Sequence, residues 1–228
     1  GRPVYTAHRN VVGFGQFPGP PWHLLDFVAY VQRQNHLGLH KVRHKYPDPW
    51  DWKPGTRSRG FSHFSSFGCP EPCTFCCSPL VTERRFKAIP GPQLAEDVAE
   101  LQQRFKFDVL RFQDANWGVW EKRTKEFCQT LDDLKVPIHW NGTIEIETIM
   151  RYKQETLDLM EASQCHLLWL GAEAGTREMQ ERIKKHIEIE NIPKAIEALA
   201  KRKIIPGTFW IIGYPGETRE SMEATLKL

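Results

Sequence analysis

From residue 61 onward, short apolar runs alternate with amphipathic stretches, and this alternation constrains the fold more than any other feature of the chain. Strands interleaved with helices in this way build βα units around a parallel sheet. The predicted strands are 61–67, 108–112, 138–143, 166–170 and 208–212. The predicted helices are 93–105, 121–134, 149–162, 176–183 with 192–202, and 219–228. Leu94, Val98, Leu101 and Phe105 recur at helical spacing, as do Ile192, Ala195, Ile196 and Leu199, so one face of each helix is expected on the sheet. Five such units with short connections imply an α/β fold, a curved parallel sheet or partial (β/α) barrel, in which sites gather at the C-terminal ends of strands. Residues 61–228 form this core. Leu228 stops inside a helical pattern with no Gly, Asn or Pro stop signal, so the core is expected to be truncated before a sixth strand.

Directly after the first strand stand Cys69, Cys73 and Cys76, spaced Cys-x-x-x-Cys-x-Phe-Cys. Each iron of a four-iron cubane normally takes one thiolate, so three local cysteines leave one iron open for a ligand. Pro70 and Pro72 restrict the loop backbone, and Phe75 is placed to shield the cluster. Zinc is the competing reading, with Cys73 and Cys76 as half a site completed by Cys69, Cys77 or His63. No second paired half-site is visible downstream. A disulfide framework is disfavoured by six cysteines in 228 residues and by the lack of an apolar h-region in residues 1–11. Cys77, Cys128 and Cys165 have no partner spacing and read as core or incidental thiols.

At 40% hydrophobic and 26% charged, the composition is that of an ordinary globular chain, and no run of about 18 apolar residues offers a membrane span. A net charge of +3 does not argue for nucleic acid. Residues 1–60 differ: they hold nine Lys/Arg against three Asp/Glu, five histidines and a Gly/Pro-rich stretch at 13–21. Such a basic, aromatic segment can face RNA. The plainer reading is a linker, with a short helix over 24–32 and Trp22, Trp50 and Trp52 packed on the neighbouring domain. The chain is expected to be a fragment at both ends, with 1–60 the tail of a preceding domain.

The segment from Ser66 through Cys69, Cys73 and Cys76 resembles the signature of the radical S-adenosylmethionine superfamily. Two further stretches fall in order. Gly171-Ala-Glu173-Ala-Gly175-Thr176 is similar to the family's Gly-x-Glu-Ser-Gly-Ser, and Gly213-Tyr-Pro215-Gly216-Glu217-Thr218 to its Gly-x-Pro-Gly-Glu-Thr. The resemblance spans 61–228. Taken on its own, Gly213 either lets backbone approach an adenine or serves a turn with Pro215-Gly216. Glu173 either accepts from a ribose or amino group or is a helix N-terminal carboxylate. After strand two, Asp114-Ala-Asn116-Trp117 looks like a variant of the Asp-Asp-Asn-Phe carried by relatives with an upstream cobalamin-binding domain, and Asp114 is the candidate contact to the methionine amino group. Near Glu145 the arginine that relatives use is missing, so no carboxylate clamp carries over.

The resemblance implies a [4Fe–4S] cluster on Cys69, Cys73 and Cys76 and S-adenosylmethionine contacted by Phe75, Asp114, Glu173, Gly213 and Glu217. It also implies reductive cleavage of the sulfonium to a 5′-deoxyadenosyl radical that takes hydrogen from a small-molecule or peptide substrate. A flavodoxin- or ferredoxin-type protein would donate the electron, and the cytoplasm is the expected compartment. Methyl transfer to carbon is the expected subclass, with any cobalamin held by residues outside this chain because no Asp-x-His-x-x-Gly stretch occurs. The alternatives are a methylthiotransferase facing RNA, a radical cyclase, and a non-catalytic iron–sulfur or zinc-binding module.

Overall fold

The computed structural model describes residues 21–33 and 59–228. Trp50, Trp52 and the stretch 13–20 lie outside the described residues. A 3-10 turn at Trp22–Leu24 leads into α1 (Phe27–Arg33). Trp22 and Phe27 pack tilted or edge-on against Phe61 and Phe105, and Val31 is fully buried, so this part of the linker is anchored on the core.

The core opens with β1 (Gly60–His63) and β2 (Ser66–Phe67), then α2 (Ser78–Thr82) and β3 (Lys87–Ala88). It continues as α3 (Gly91–Phe105), β4 (Val109–Phe112), α4 (Glu121–Asp133) and β5 (His139–Ile144). The rest is α5 (Ile146–Arg151), α6 (Gln154–Ala162), β6 (Cys165–Glu173), α7 (Arg177–Arg182), α8 (Asn191–Ala200), β7 (Ile205–Trp210) and α9 (Arg219–Lys227). Five strands form one parallel sheet in the order β1-β4-β5-β6-β7, and β2 and β3 make a separate antiparallel ribbon. The expected half-barrel is what the chain forms.

Alternation along each strand sorts side chains onto two faces. Leu110, Phe112, Trp140 and Ile144 meet Trp117, Phe127 and other helix residues in the main core. The opposite face, carrying Ser62, Arg111, Asn141 and Trp169, is the concave interior of the sheet.

Element boundaries differ from expectation at several places, and three of the differences have a clear tertiary reason. The run 61–67 is not one strand. The Ser65 backbone N–H donates to the Asp114 carboxylate and the Ser65 carbonyl accepts from Ile89, which turns the chain off the sheet into the ribbon. The helix expected over 149–162 breaks at Tyr152, whose buried hydroxyl donates to the Gly118 carbonyl at 2.6 Å and lies 2.8 Å from the Thr124 hydroxyl. The last strand spans Ile205–Trp210 instead of 208–212, because its partner β6 bulges between Gly171 and Glu173 and ends. Neither α2 nor β3 was expected from the sequence.

Candidate functional site

The cysteine loop runs between the ribbon strands at the C-terminal end of β1. Gly68 begins it at φ +91°, where a Cβ would collide with the Arg85 carbonyl, so only glycine fits. The Arg84 guanidinium donates to the Pro70 carbonyl at 2.8 Å, and the Thr74 N–H donates to the Ile183 carbonyl at 2.9 Å. The Thr74 hydroxyl also lies 2.8 Å from the Tyr214 hydroxyl, tying the loop to the turn after β7.

Cys69 and Cys73 are buried, and Cys76 sits exposed at the lip beside Cys77. The Asn116 side chain hydrogen-bonds the Cys69 sulfur, and the Ser78 N–H lies 3.4 Å from the Cys76 sulfur. Burial pushes the Cys69 thiol up and carries the Cys73 thiol to about 12, with Lys185 pulling the latter back and Glu145 and Cys69 adding to the rise. Among the described residues, no three His, Cys, Asp or Glu side chains converge on one point as a single metal ion requires.

Facing the cysteines is a buried charge cluster. The Lys185 ammonium, 4% exposed, lies 2.6 Å from Glu145 and 3.2 Å from Glu173. Burial works against its charge and the two carboxylates outweigh burial, so its pKa is held above the ordinary lysine value. Glu145 and Glu173 are themselves raised, because desolvation exceeds what the lysine returns. A Cβ on Gly171 would strike the Glu173 carboxylate and come within 2.6 Å of the Lys185 nitrogen. Glu173 has a left-handed φ of +62°, a conformation costly for a residue with a side chain and held here by the bulge and the ion pair.

Asp114 lies behind the loop. Its carboxylate accepts from the Ser65 N–H, from the Ser65 hydroxyl at 3.0 Å and from the Ser66 hydroxyl. Arg123, also buried, neutralises it from nearby while donating to the carbonyls of Ile89 and Trp117 and to the Ser65 hydroxyl. Its neighbour Asn116 is 2% exposed and keeps a side-chain oxygen with no partner among the described residues.

In the turn after β7, Glu217 accepts from the N–H groups of Gly213 at 2.5 Å and Tyr214 at 3.1 Å, so it braces the turn. Gly213 stands at φ +84° with nothing within 4 Å of where a Cβ would be, an open cradle beside backbone. Phe75 is 40% exposed at the lip. The fold thus brings Cys69 and Cys73 together, links Glu173 to Cys73 through Lys185, leaves Cys76 and Phe75 exposed, ties the turn of Gly213 and Glu217 to the loop through Tyr214, and sets Asp114 behind the loop.

Lys185 and Asn116 were not expected to be functional. For Lys185 a local signal existed: in Ile183-Lys-Lys185-His-Ile187 the lysine sits in phase with two buried isoleucines.

A parallel half-barrel with buried thiols at the end of its first strand defines the class of fold. Residues 64–228 match the model of the radical SAM superfamily, and the chain belongs to that family. It is 26% identical over 163 residues to an uncharacterised methyltransferase of Pyrococcus horikoshii, covering 72% of this chain and 35% of that protein. It is 24% identical over 215 residues to the cytidylyl-2-hydroxyethylphosphonate methyltransferase of Streptomyces wedmorensis, covering 91% and 37%. Among solved structures it is similar to the radical S-adenosylmethionine methyltransferase TsrM of Kitasatospora setae with cobalamin and a [4Fe–4S] cluster bound. That match has a TM-score of 0.66 and 16% identity, and it covers 75% of this chain and 32% of that one. The chain spans about a third of the length of these relatives.

The residues present fit a cluster with one open iron and a bound S-adenosylmethionine. Burial raises the pKa of the Cys69 and Cys73 thiols, an effect that metal ligation reverses. The buried Lys185 ammonium interacts with Cys73, the Asn116 amide oxygen has no partner among the described residues, and Gly213 opens on free space. Among the described residues no helix is long and apolar enough to cross a membrane.

Proposed function

We propose that this chain is the catalytic core of a radical S-adenosylmethionine methyltransferase, with cobalamin held by parts of the protein outside it. One observation carries the reading: Cys69 and Cys73 lie buried at the mouth of the half-barrel, Cys73 beside the Lys185 ammonium, with Cys76 exposed. When bound, the cluster would supply the electron that cleaves the sulfonium, giving methionine and a 5′-deoxyadenosyl radical that abstracts hydrogen from the substrate.

This chain's residues would bind and orient the cofactor. Lys185 presents a cation to the methionine carboxylate, and the unpartnered Asn116 oxygen accepts from the amino group. Asp114, its oxygens taken by Ser65 and Ser66, acts by fixing the cysteine loop. Glu173 accepts from a ribose hydroxyl. Gly213 exposes backbone to the adenine, and Glu217 holds that turn in shape. Phe75 covers the rim. An electron donor of flavodoxin or ferredoxin type would approach Cys76, the exposed edge of the cysteine set. Methyl transfer is supported by the relatives named above.

The test is an electron paramagnetic resonance spectrum of the reconstituted, reduced protein with and without S-adenosylmethionine. A reduced [4Fe–4S] signal that changes with the cofactor is expected. A zinc-loaded, silent protein would overturn the reading. Label from methyl-deuterated S-adenosylmethionine, appearing on substrate carbon when cobalamin is supplied to the full-length protein, separates methyl transfer from the other radical chemistries.

A further inference from the structure

The concave face of the sheet continues below the cofactor site, and its register places side chains in rows across the strands. One row reads Ser62, Arg111, Asn141, Leu167, Ile205. The next, nearer the cofactor, reads Thr143, Trp169, Gly207, with Gln113 beside them donating to the Ser62 hydroxyl at 3.1 Å. Above these, Gly171 pairs with Phe209, and Glu145 and Glu173 close the top with Lys185. The floor is therefore continuous with the residues proposed to hold S-adenosylmethionine.

Its two halves differ in chemistry. On β4, Arg111 is exposed and has no ion pair or hydrogen bond among the described residues. The Ser62 hydroxyl and the Gln113 and Asn141 amides flank it. Asn141 is 4% exposed, points away from the helix-side core that takes Trp140, and keeps a buried side-chain oxygen without a partner among the described residues. A guanidinium with no partner among the described residues and with neutral donors and acceptors around it is suited to a planar oxyanion, which it can engage through two parallel hydrogen bonds.

On β6 and β7, Trp169 and Phe209 stack at 5.0 Å between centroids and 18° between planes. A Cβ on Gly207 would collide with the Trp169 ring, so the glycine lets the indole lie flat along the sheet. Phe209 remains 46% exposed, which leaves an aromatic surface facing the open concavity. Arg111 and Trp169 are two strands apart and one row along, about 12 Å at the backbone, a span that an arginine side chain and one bicyclic ring together bridge.

We propose that this floor is the substrate site and that it takes an aromatic acid, with the ring on Trp169 and Phe209 and the acid group on Arg111. The assignment rests on the reading of the mouth as the S-adenosylmethionine site, since that places the floor beneath the reacting carbon. A concave surface with one aromatic wall and a few convergent polar groups is the usual form of a small-molecule site.

Calorimetric titration of the reconstituted full-length protein with 2-naphthoate, neutral 2-naphthamide and ring-saturated cyclohexanecarboxylate tests this. Naphthoate is expected to bind at least tenfold tighter than either analogue. Arg111→Gln should abolish its advantage over the amide, and Phe209→Leu its advantage over the saturated acid. Both side chains are exposed, so both variants should fold and keep the spectral response of the cluster to S-adenosylmethionine. Equal binding of acid and amide by the native protein, or an unchanged preference in Arg111→Gln, overturns the proposal. Discrimination among the probes with no spectral response to S-adenosylmethionine would leave the floor standing and remove the cofactor reading. A spectral response without discrimination would remove the floor alone.

Discussion

Replacing Lys185 by methionine should destabilise the cluster-free chain by an amount that depends on pH. The native ammonium sits 2.6 Å from Glu145 and 3.2 Å from Glu173, with all three side chains largely out of water. Removing one member of a buried ion cluster leaves uncompensated charge and costs about 3–5 kcal/mol. That figure holds only while both carboxylates stay ionised. Burial already raises both above the usual carboxylate range, and without the lysine they rise further, since each also repels the other. A carboxylate whose folded pKa exceeds its unfolded value binds its proton more readily when folded. Its stability contribution is therefore greatest at low pH and falls as pH rises through the folded pKa. Protonating the raised carboxylates returns the lost energy, so the deficit should be near its full ~3–5 kcal/mol at pH 8 and clearly smaller at pH 5. Urea unfolding followed by circular dichroism at the two pH values measures it. Adding Glu145→Gln and Glu173→Gln should recover most of the loss at pH 8. An equal deficit at both pH values would show that methionine disturbs packing and that the charge argument is wrong.

Other outcomes follow from single features. Arg123→Met strands the Asp114 charge behind the cysteine loop and should cost about 3–5 kcal/mol, with Asp114→Asn in the same chain restoring part of it; a loss under about 1 kcal/mol in chemical denaturation would mean the guanidinium is dispensable. Burial lowers His63 to about 4, below its unfolded value of 6.5, so the unfolded state takes the proton first and stability falls as pH drops through that window. His63→Gln should remove up to about 3 kcal/mol of that acid loss, read as the difference between unfolding at pH 7 and pH 4, and an unchanged acid limb would refute it. Gly213→Ala adds a methyl that meets no atom but forces a left-handed alanine, so stability should fall by only about 1–2 kcal/mol. S-adenosylmethionine affinity, measured by calorimetry, should fall at least tenfold if adenine lies against that backbone, and unchanged affinity would place the adenine elsewhere.

The architecture was legible because strand and helix cores are written in local periodicity. Leu94, Val98 and Phe105 line one buried face of α3 as their spacing requires, and all five parallel strands occur where apolar runs predicted them. The boundaries were not, because partners distant in sequence set them. Nothing near residue 65 announces that Asp114, 49 residues on, will take its N–H and bend the chain into a ribbon. Nor does the run around Tyr152 show that its hydroxyl will plug the gap at Gly118 and break a helix in two. Strand β6 is nine residues long, well beyond 166–170, because β5 and β7 both pair along it.

The same distinction separates the readable and unreadable parts of the site. Cysteine spacing is a local property, so Cys69, Cys73 and Cys76 could be picked out from sequence. Charge compensation is not local. The sequence offered no arginine near Glu145, and on that ground no carboxylate clamp was expected; yet the fold delivers a cation to Glu145 from 40 residues downstream, where the chain leaves α7 and buries alternate residues Ile183, Lys185 and Ile187. A cofactor carrying a carboxylate requires a cation at the mouth of the barrel, but physics does not dictate which strand end supplies it. A lysine held between two carboxylates also behaves differently from a free arginine. If, as proposed, it also takes the cofactor's carboxylate, that group competes with Glu145 and Glu173 for the ammonium's three donors, and a Glu173 drawn off the pair would be free to accept from the ribose. Binding at Lys185 and at Glu173 would then be coupled through one ammonium. In a Glu145→Gln variant, Glu173 remains as the sole native partner, holds the lysine more tightly, and should oppose binding of the methionine carboxylate more than it does in the native chain.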